Sequence, residues 1–278
     1  MNVAYLNGSF VPATDALLRA DDAGMQFGRG VYETFRCRRG AVFRLSRHLQ
    51  RLQAGAALLG ISIPPVIESL AAVVDALCRR CGLDDARVRL TLTAGPPGDG
   101  PTFLIQARPA TDYPLDLYSR GMVATVATVR RNETSPLSGI KSLNCLDNVM
   151  SREQAQSAGA DTALLLNTRG LVAEASTANV FVVRNRSLLT PPMDEGALPG
   201  VTRGAVIDLA SEAGLTVLER PLTLEELLLS DEAFLTSAIM GVMPLVRVDG
   251  QAIGEGRPGA VTARVRTLYQ ASAGGGLP

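Results

Sequence analysis

Apolar residues along the chain recur with two different periods. With a period of two, VYETFR (31–36), AVFRL (41–45), RVRLTLT (87–93) and TFLIQAR (102–108) predict strands, rich in β-branched or aromatic residues and bounded by Gly or Pro. Between them the spacing becomes helical. Ser46 is the candidate N-cap of a helix through Leu49, Leu52, Ala56 and Leu59 that stops at Gly60. Pro64-Pro65 opens a second, with Val66, Leu70, Val73, Val74 and Leu77 on one face, that stops at Gly82. Residues 1–111 therefore predict a small α+β domain. Residues 112–120, with Pro114 and no clear periodicity, predict a linker.

Residues 121–278 alternate differently and predict a larger domain. Strands are expected at MVATVATV (122–129), TALLLN (162–167), NVFVV (179–183), TVLE (216–219), AFLTS (233–237) and PLVRV (244–248), and helices over 143–157, 201–213, 224–229 and after Pro258. The GGGLP end is expected to fray. The fold class is α/β combined with α+β in two domains, an arrangement in which small ligands bind where domains meet.

Composition narrows the function. With 27 basic against 27 acidic side chains in 278 residues, the chain is neither a basic nucleic-acid binder nor a disordered acidic tail. No apolar run approaches the ~20 residues of a membrane span, and the first residues lack a basic stretch followed by an apolar one. The expectation is a reduced, cytoplasmic enzyme without a metal. Cys78 and Cys81 form a C-x-x-C at the end of a helix, with no second pair and no nearby His to complete a zinc site. Gly28-Arg29-Gly30 precedes a strand instead of linking a strand to a helix, and no phosphate-binding P-loop motif occurs. His48, the single histidine, lies beside two arginines and is expected to be a solvated helix position.

The basic residues hold the most telling feature: 26 are Arg and one, Lys141, is Lys. Guanidinium stays protonated in proteins, so Arg replaces Lys as a surface charge but not where an amine must attack a carbonyl. Lys141 lies just before the predicted 143–157 helix, whose dipole would disfavour an ammonium there. The same position suits an ordinary solvated Lys. Glu174, among Ala, Ser and Thr at a turn between strands, is a carboxylate placed to meet a cation, whether a pyridinium or an Arg. In LPGVTRGAVIDLA (198–210) a helix begins at Gly200-Val201-Thr202, where backbone N–H groups bind phosphate, and Arg51 could add a forked contact. One amine, one acid and a phosphate cradle together are the parts that a pyridoxal phosphate site requires.

These blocks resemble the class IV, fold-type IV pyridoxal-phosphate enzymes: branched-chain aminotransferases, D-amino-acid aminotransferases and aminodeoxychorismate lyases. GMQFGRGVYETFR, FRLSRHLQRL, GIKSLN, VAEASTANVF, LPGVTR and EAFLTSAIMGVMP match in order over nearly the whole chain. The resemblance implies pyridoxal 5'-phosphate as cofactor, a Schiff base on Lys141, and Glu174 at the ring nitrogen. It implies phosphate contacts from Arg51, Val201, Thr202 and Ser237, and a substrate pocket lined by Tyr32. It further implies a homodimer, with the active site between the two domains and completed by the second subunit.

Among the subfamilies the resemblance favours an amino acid:2-oxoacid aminotransferase. GMQFGRGVYE is closest to the D-specific pattern, which slightly favours D-amino acids over L-branched ones. The D-specific R-x-H pair is missing from GPPGDGP, so the substrate carboxylate needs another partner, with Arg29, Arg87 and Arg89 as candidates. The strand Arg87-Val88-Arg89-Leu90-Thr91 keeps the second Arg of the branched-chain pattern and loses its Tyr. The alternative is a 4-amino-4-deoxychorismate lyase that releases pyruvate and 4-aminobenzoate. Thr34 and SAIMGVMP favour it, whereas Ser237 and Asp99 depart from it.

Overall fold

The computed structural model describes residues 3–110 and 113–274, which divide into two compact units. The first contains the chain up to residue 110 together with Ile140–Asn144. It opens with a hairpin of β1 (Val3–Leu6) and β2 (Ser9–Pro12), joined by Asn7-Gly8, both with positive φ (45° and 97°). Such a turn matches the twist of the strands it joins. Then follow α1 (Ala23–Phe27), β3 (Gly30–Arg38), β4 (Ala41–Val42), α2 (Leu45–Leu58), α3 (Leu70–Cys81), β5 (Asp85–Thr93) and β6 (Thr102–Pro109). The six strands form one antiparallel sheet in the order β2-β1-β6-β5-β3-β4.

Alternation along β3, β5 and β6 gives this sheet two unlike faces. Val31, Phe35, Val88, Leu90, Leu92, Phe103 and Ile105 are buried in one core with Leu52 and Ala56 of α2 and Leu70, Val74 and Leu77 of α3. Tyr32, Thr34, Arg36, Arg87, Arg89 and Thr91, the intervening positions, are only half-buried. The strand expected over 41–45 shrinks to two residues because Arg44 turns with φ 51° and α2 begins at Leu45, without a side-chain cap from Ser46.

The second unit carries α4 (Leu115–Arg120), β7 (Met122–Val126), α5 (Leu146–Ser157), β8 (Thr162–Leu166), β9 (Val172–Ala175), β10 (Asn179–Arg184) and β11 (Ser187–Thr190). It continues with α6 (Val201–Glu212), β12 (Val217–Glu219), α7 (Leu224–Leu228), β13 (Glu232–Ser237), β14 (Gly241–Val248), β15 (Gln251–Ala252) and α8 (Ala260–Ser272). Its sheet runs β12-β11-β10-β13-β14-β7-β8-β9, with β15 paired to β14. The pairs β11/β12, β14/β7 and β7/β8 are parallel and the others antiparallel. Val180, Val182, Leu235, Leu245, Leu164 and Val172 share its largest apolar cluster, and Phe181 stacks on Phe234 at 4.9 Å.

Two expectations need correction here. The linker predicted over 112–120 holds α4, because LDLYSR puts Leu117 and Tyr118 into the core and Tyr118 Oη donates to the Met240 carbonyl at 2.8 Å. Pro114 precedes the helix and Gly121, with φ 79°, ends it; Asp112 lies outside the described residues. The helix expected over 143–157 starts at Leu146, since Ile140–Asn144 belongs to the first unit and Ser142 bridges to Val31 of β3. Residues 275–278 of the tail expected to fray also lie outside the described residues.

Candidate active site

Lys141 is held by backbone pairing with β3. The Tyr32 amide donates to the Lys141 carbonyl at 2.9 Å, and the Leu143 amide donates to the Gly30 carbonyl at 2.9 Å. Glycine at position 30 permits this approach: a Cβ there would stand 2.7 Å from Leu143 Cδ1 and 2.9 Å from the Leu92 carbonyl. Lys141 is thus five residues ahead of α5, fixed to a strand and not at the mouth of the helix as expected. Its Nζ lies 4.6 Å from the centre of the Tyr32 ring. The Arg89 guanidinium carbon lies 3.9 Å from the same centre. Both are cation–π distances, and a cation on a partly desolvated ring gains about 0.5–2 kcal/mol.

Sheet register orders the other predicted substrate residues. Tyr32 is opposite Thr91, Thr34 opposite Arg89, and Arg36 opposite Arg87. Tyr32, Thr34 and Arg89 therefore gather on the half-buried face beside Lys141, and Arg87 lies one row further along. Arg29 goes elsewhere: its Nε and Nη2 donate to the Leu59 carbonyl at 3.1 and 3.0 Å, at the end of α2.

Arg51 and His48 meet Glu33, which lies on the core face of β3 and is fully buried. Arg51 Nε and Nη2 donate to the two carboxylate oxygens, each at 2.7 Å, and His48 Nδ1 is 2.7 Å from Oε2. Burial alone would raise the Glu33 carboxyl; the Arg51 charge, with hydrogen bonds from His48 and Arg51, outweighs it and holds the group down at about 2. The expectation of a solvated His48 is corrected: the ring is 1% exposed, because α2 turns it inward onto a strand 15 residues earlier. The fork expected to grip phosphate grips Glu33 instead, through Nε and Nη2.

In the second unit Glu174 sits inside β9, opposite Leu165 of β8, and not at a turn. It is 5% exposed. Its Oε2 accepts the Leu198 amide at 3.0 Å, and Oε1 is 3.6 Å from Arg131 Nη2. Arg131 is tied down by the Gly196 carbonyl, the Asn148 side chain and the Ser138 carbonyl at 3.1, 3.2 and 3.0 Å. Leu198 leads through Pro199 and Gly200 into α6. Gly200 is its N-cap and offers no side-chain cap to the first turn, where Val201 and Thr202 stand. Thr202 Oγ1 is 3.3 Å from the Tyr269 hydroxyl. Ser237 ends β13, and its Oγ accepts the Met240 amide at 3.5 Å.

These donor sets fit pyridoxal phosphate. An ionised carboxylate has about four lone-pair sites, so Glu174 with its single backbone bond can also accept a ring N–H. The first turn of α6, uncapped by a side chain, presents N–H groups suited to a phosphate. Thr236 Oγ1, next to Ser237, is buried without a hydrogen-bond partner. Among the described residues no cluster of His, Cys, Asp or Glu could hold a metal, and the buried Cys78 thiol is pushed up by its hydrogen bond with Cys37 and by burial.

Sequence reasoning missed Glu33, Arg131 and Asn179. Glu33 carried a signal, a lone acid in the apolar phase of a strand. Arg131 carried none, since its partners come from four separate segments.

A family model described as amino-transferase class IV matches residues 30–248. A Methanocaldococcus jannaschii protein named, provisionally, a branched-chain-amino-acid aminotransferase is 38% identical over 96% of this chain and 94% of its own length. The D-alanine aminotransferase of Bacillus licheniformis is 35% identical over 96% of this chain and 95% of its own. The crystal structure of the T.th. branched-chain amino acid aminotransferase with pyridoxamine 5'-phosphate superposes with a TM-score of 0.90 at 28% identity, over 99% of this chain and 95% of that one. With the family match covering most of its length, the chain belongs to the class IV aminotransferases, enzymes that use pyridoxal 5'-phosphate.

Proposed function

We propose that this protein moves an amino group between an α-amino acid and a 2-oxoacid, with D-amino acids as preferred donors. The observation that carries this reading is the pairing of Lys141 Nζ and the Arg89 guanidinium on the single ring of Tyr32. An amine and a carboxylate-binding fork on one ring suit the two ends of one small amino acid.

Lys141 Nζ takes the proton from the substrate α-carbon and returns one, as a general base and then acid. Arg89 holds the substrate carboxylate, with Thr34 beside it. When bound, pyridoxal 5'-phosphate supplies the electron sink that lets the α-carbon lose its proton, and it carries the amino group from donor to acceptor. Glu174 keeps a proton at the ring nitrogen. The backbone of Val201 and Thr202, with Ser237, takes the phosphate.

The D preference is supported by the GMQFGRGVYE block and the 35% identical D-alanine aminotransferase. An L-branched-chain donor is the second reading, favoured by the 38% identical relative. A homodimer is part of the proposal, supported by an apolar stripe on α5, Leu146, Val149 and Met150, exposed at one-turn spacing. A sedimenting mass near 29.3 kDa would exclude it.

The test is a half reaction. Holoenzyme mixed with D-alanine or L-leucine should change its visible absorption and release the matching 2-oxoacid, and Lys141→Ala should slow this at least ~10³-fold. No 2-oxoacid from either donor, with 4-aminobenzoate released from 4-amino-4-deoxychorismate, overturns the transaminase in favour of the lyase.

A further inference from the structure

We propose that Asn179 is a positioning residue that fixes, with one side-chain amide, both the partner of Glu174 and the entry to α6. Asn179 opens β10, opposite Thr236 of β13, and is 5% exposed. Its Nδ2 donates to the Leu198 carbonyl at 2.8 Å. The amide of the same residue, Leu198, donates to Glu174 Oε2. The other end of the amide stands against Gly200: a Cβ at position 200 would collide with Asn179 Oδ1. The glycine is needed for this close approach and not for its backbone angle, since its φ of −70° is open to any residue.

A hydrogen bond at one end and a close approach at the other thus set the three-residue segment against Asn179. Leu198 faces the acid and Gly200 is the N-cap of α6, whose first turn follows at once. A shift of 198–200 would move the N–H on Glu174 and the N–H groups of Val201 and Thr202 together. Asn179 hydrogen-bonds to the Leu198 carbonyl and not to the acid or the first turn, and acts on both through backbone. The inference rests on the proposed reading that Glu174 and the start of α6 serve one cofactor.

The experiment compares Asn179→Ala, Asn179→Asp, Gly200→Ala and the double variant N179A/G200A, with Glu174→Gln as reference. It measures the dissociation constant of pyridoxal 5'-phosphate by titration of the apoprotein, alongside Tm. Asn179→Ala and Gly200→Ala should each weaken cofactor binding about tenfold, the effect of losing one well-placed hydrogen bond or its geometry. Asn179→Asp, which keeps the shape and loses the donor, should do the same. The double variant should bind no more weakly than G200A alone, because removing the amide clears the space that the new Cβ needs.

Additive losses in the double variant would show that Asn179 and Gly200 act independently, and a lowered Tm with unchanged cofactor affinity would assign Asn179 to folding alone; either would overturn the proposal. So would failure of both position-179 variants to fold. If Glu174→Gln changes neither affinity nor turnover, the reading of the site fails; if it changes them while Asn179→Ala and Asn179→Asp do not, only the present inference fails.

Discussion

Around Lys141 the groups available for chemistry are side chains on one strand face, whereas around Glu174 many of them are backbone. Tyr32, Thr34 and Arg89 project from alternate positions of β3 and β5, and Lys141 is paired to that sheet. Behind them, on the opposite face, Glu33 and His48 are buried in an apolar core, with Arg51 forked onto Glu33. In the second unit, by contrast, the acid is met by the Leu198 amide, and the anion cradle is the uncapped turn at Val201 and Thr202. Truncating a side chain should therefore cost much in the first region and little at the cradle of the second.

The largest effect is expected at Glu33. Removing it in Glu33→Ala leaves a buried guanidinium and imidazole facing an empty site, a change worth about 3–5 kcal/mol, read by denaturant unfolding. The same group sets a pH dependence. Its carboxyl sits at about 2 when folded, below its ordinary 4.5, so its stabilisation is complete above pH 4.5 and is lost as pH falls from 4.5 towards 2. The stability at stake is on the order of 3 kcal/mol. Glu33→Gln should flatten that part of the pH–stability curve, and an unchanged acid limb would place the linkage elsewhere.

Arg89→Ala comes next, with kcat/KM for the amino acid falling about 10²-fold as a charge-assisted carboxylate contact is lost, and with cofactor affinity unchanged. Equal losses in both would make Arg89 a support for the Tyr32 ring instead. The smallest effect is expected for Thr202→Ala. Its backbone N–H survives, so cofactor affinity should stay within about threefold, while the lost bond to Tyr269 costs roughly 1 kcal/mol of stability. A tenfold loss of affinity there would show that the hydroxyl, not the backbone, holds the phosphate.

The same contrast explains what was legible in the sequence. Lys141 and Glu174 stood out as residue types whose chemistry is rare in their surroundings, and long alternating runs such as 87–93 and 102–108 gave their strands directly. Four-residue strands did not: β1 and β2 are each too short to show a period, although Asn7-Gly8 between them is the local sign of a hairpin. His48 looks solvated in sequence because its partner, Glu33, is distant along the chain and becomes a neighbour only when α2 packs on β3. The 112–120 stretch resembles a linker in sequence because six residues hold too few apolar positions to reveal α4. The Asn179 to Leu198 bond could not be inferred at all, since it joins a strand residue to a loop carbonyl whose place only the folded chain decides.

The lone lysine is the reactive amine in the proposed reaction, and with a single Lys in the chain one labelling site tests it. Borohydride makes a carbonyl–amine link permanent, so reduction of the holoenzyme followed by digestion and mass spectrometry should find one labelled side-chain peptide, containing Lys141. A reduced holoenzyme with full cofactor content and no label at Lys141 would contradict it.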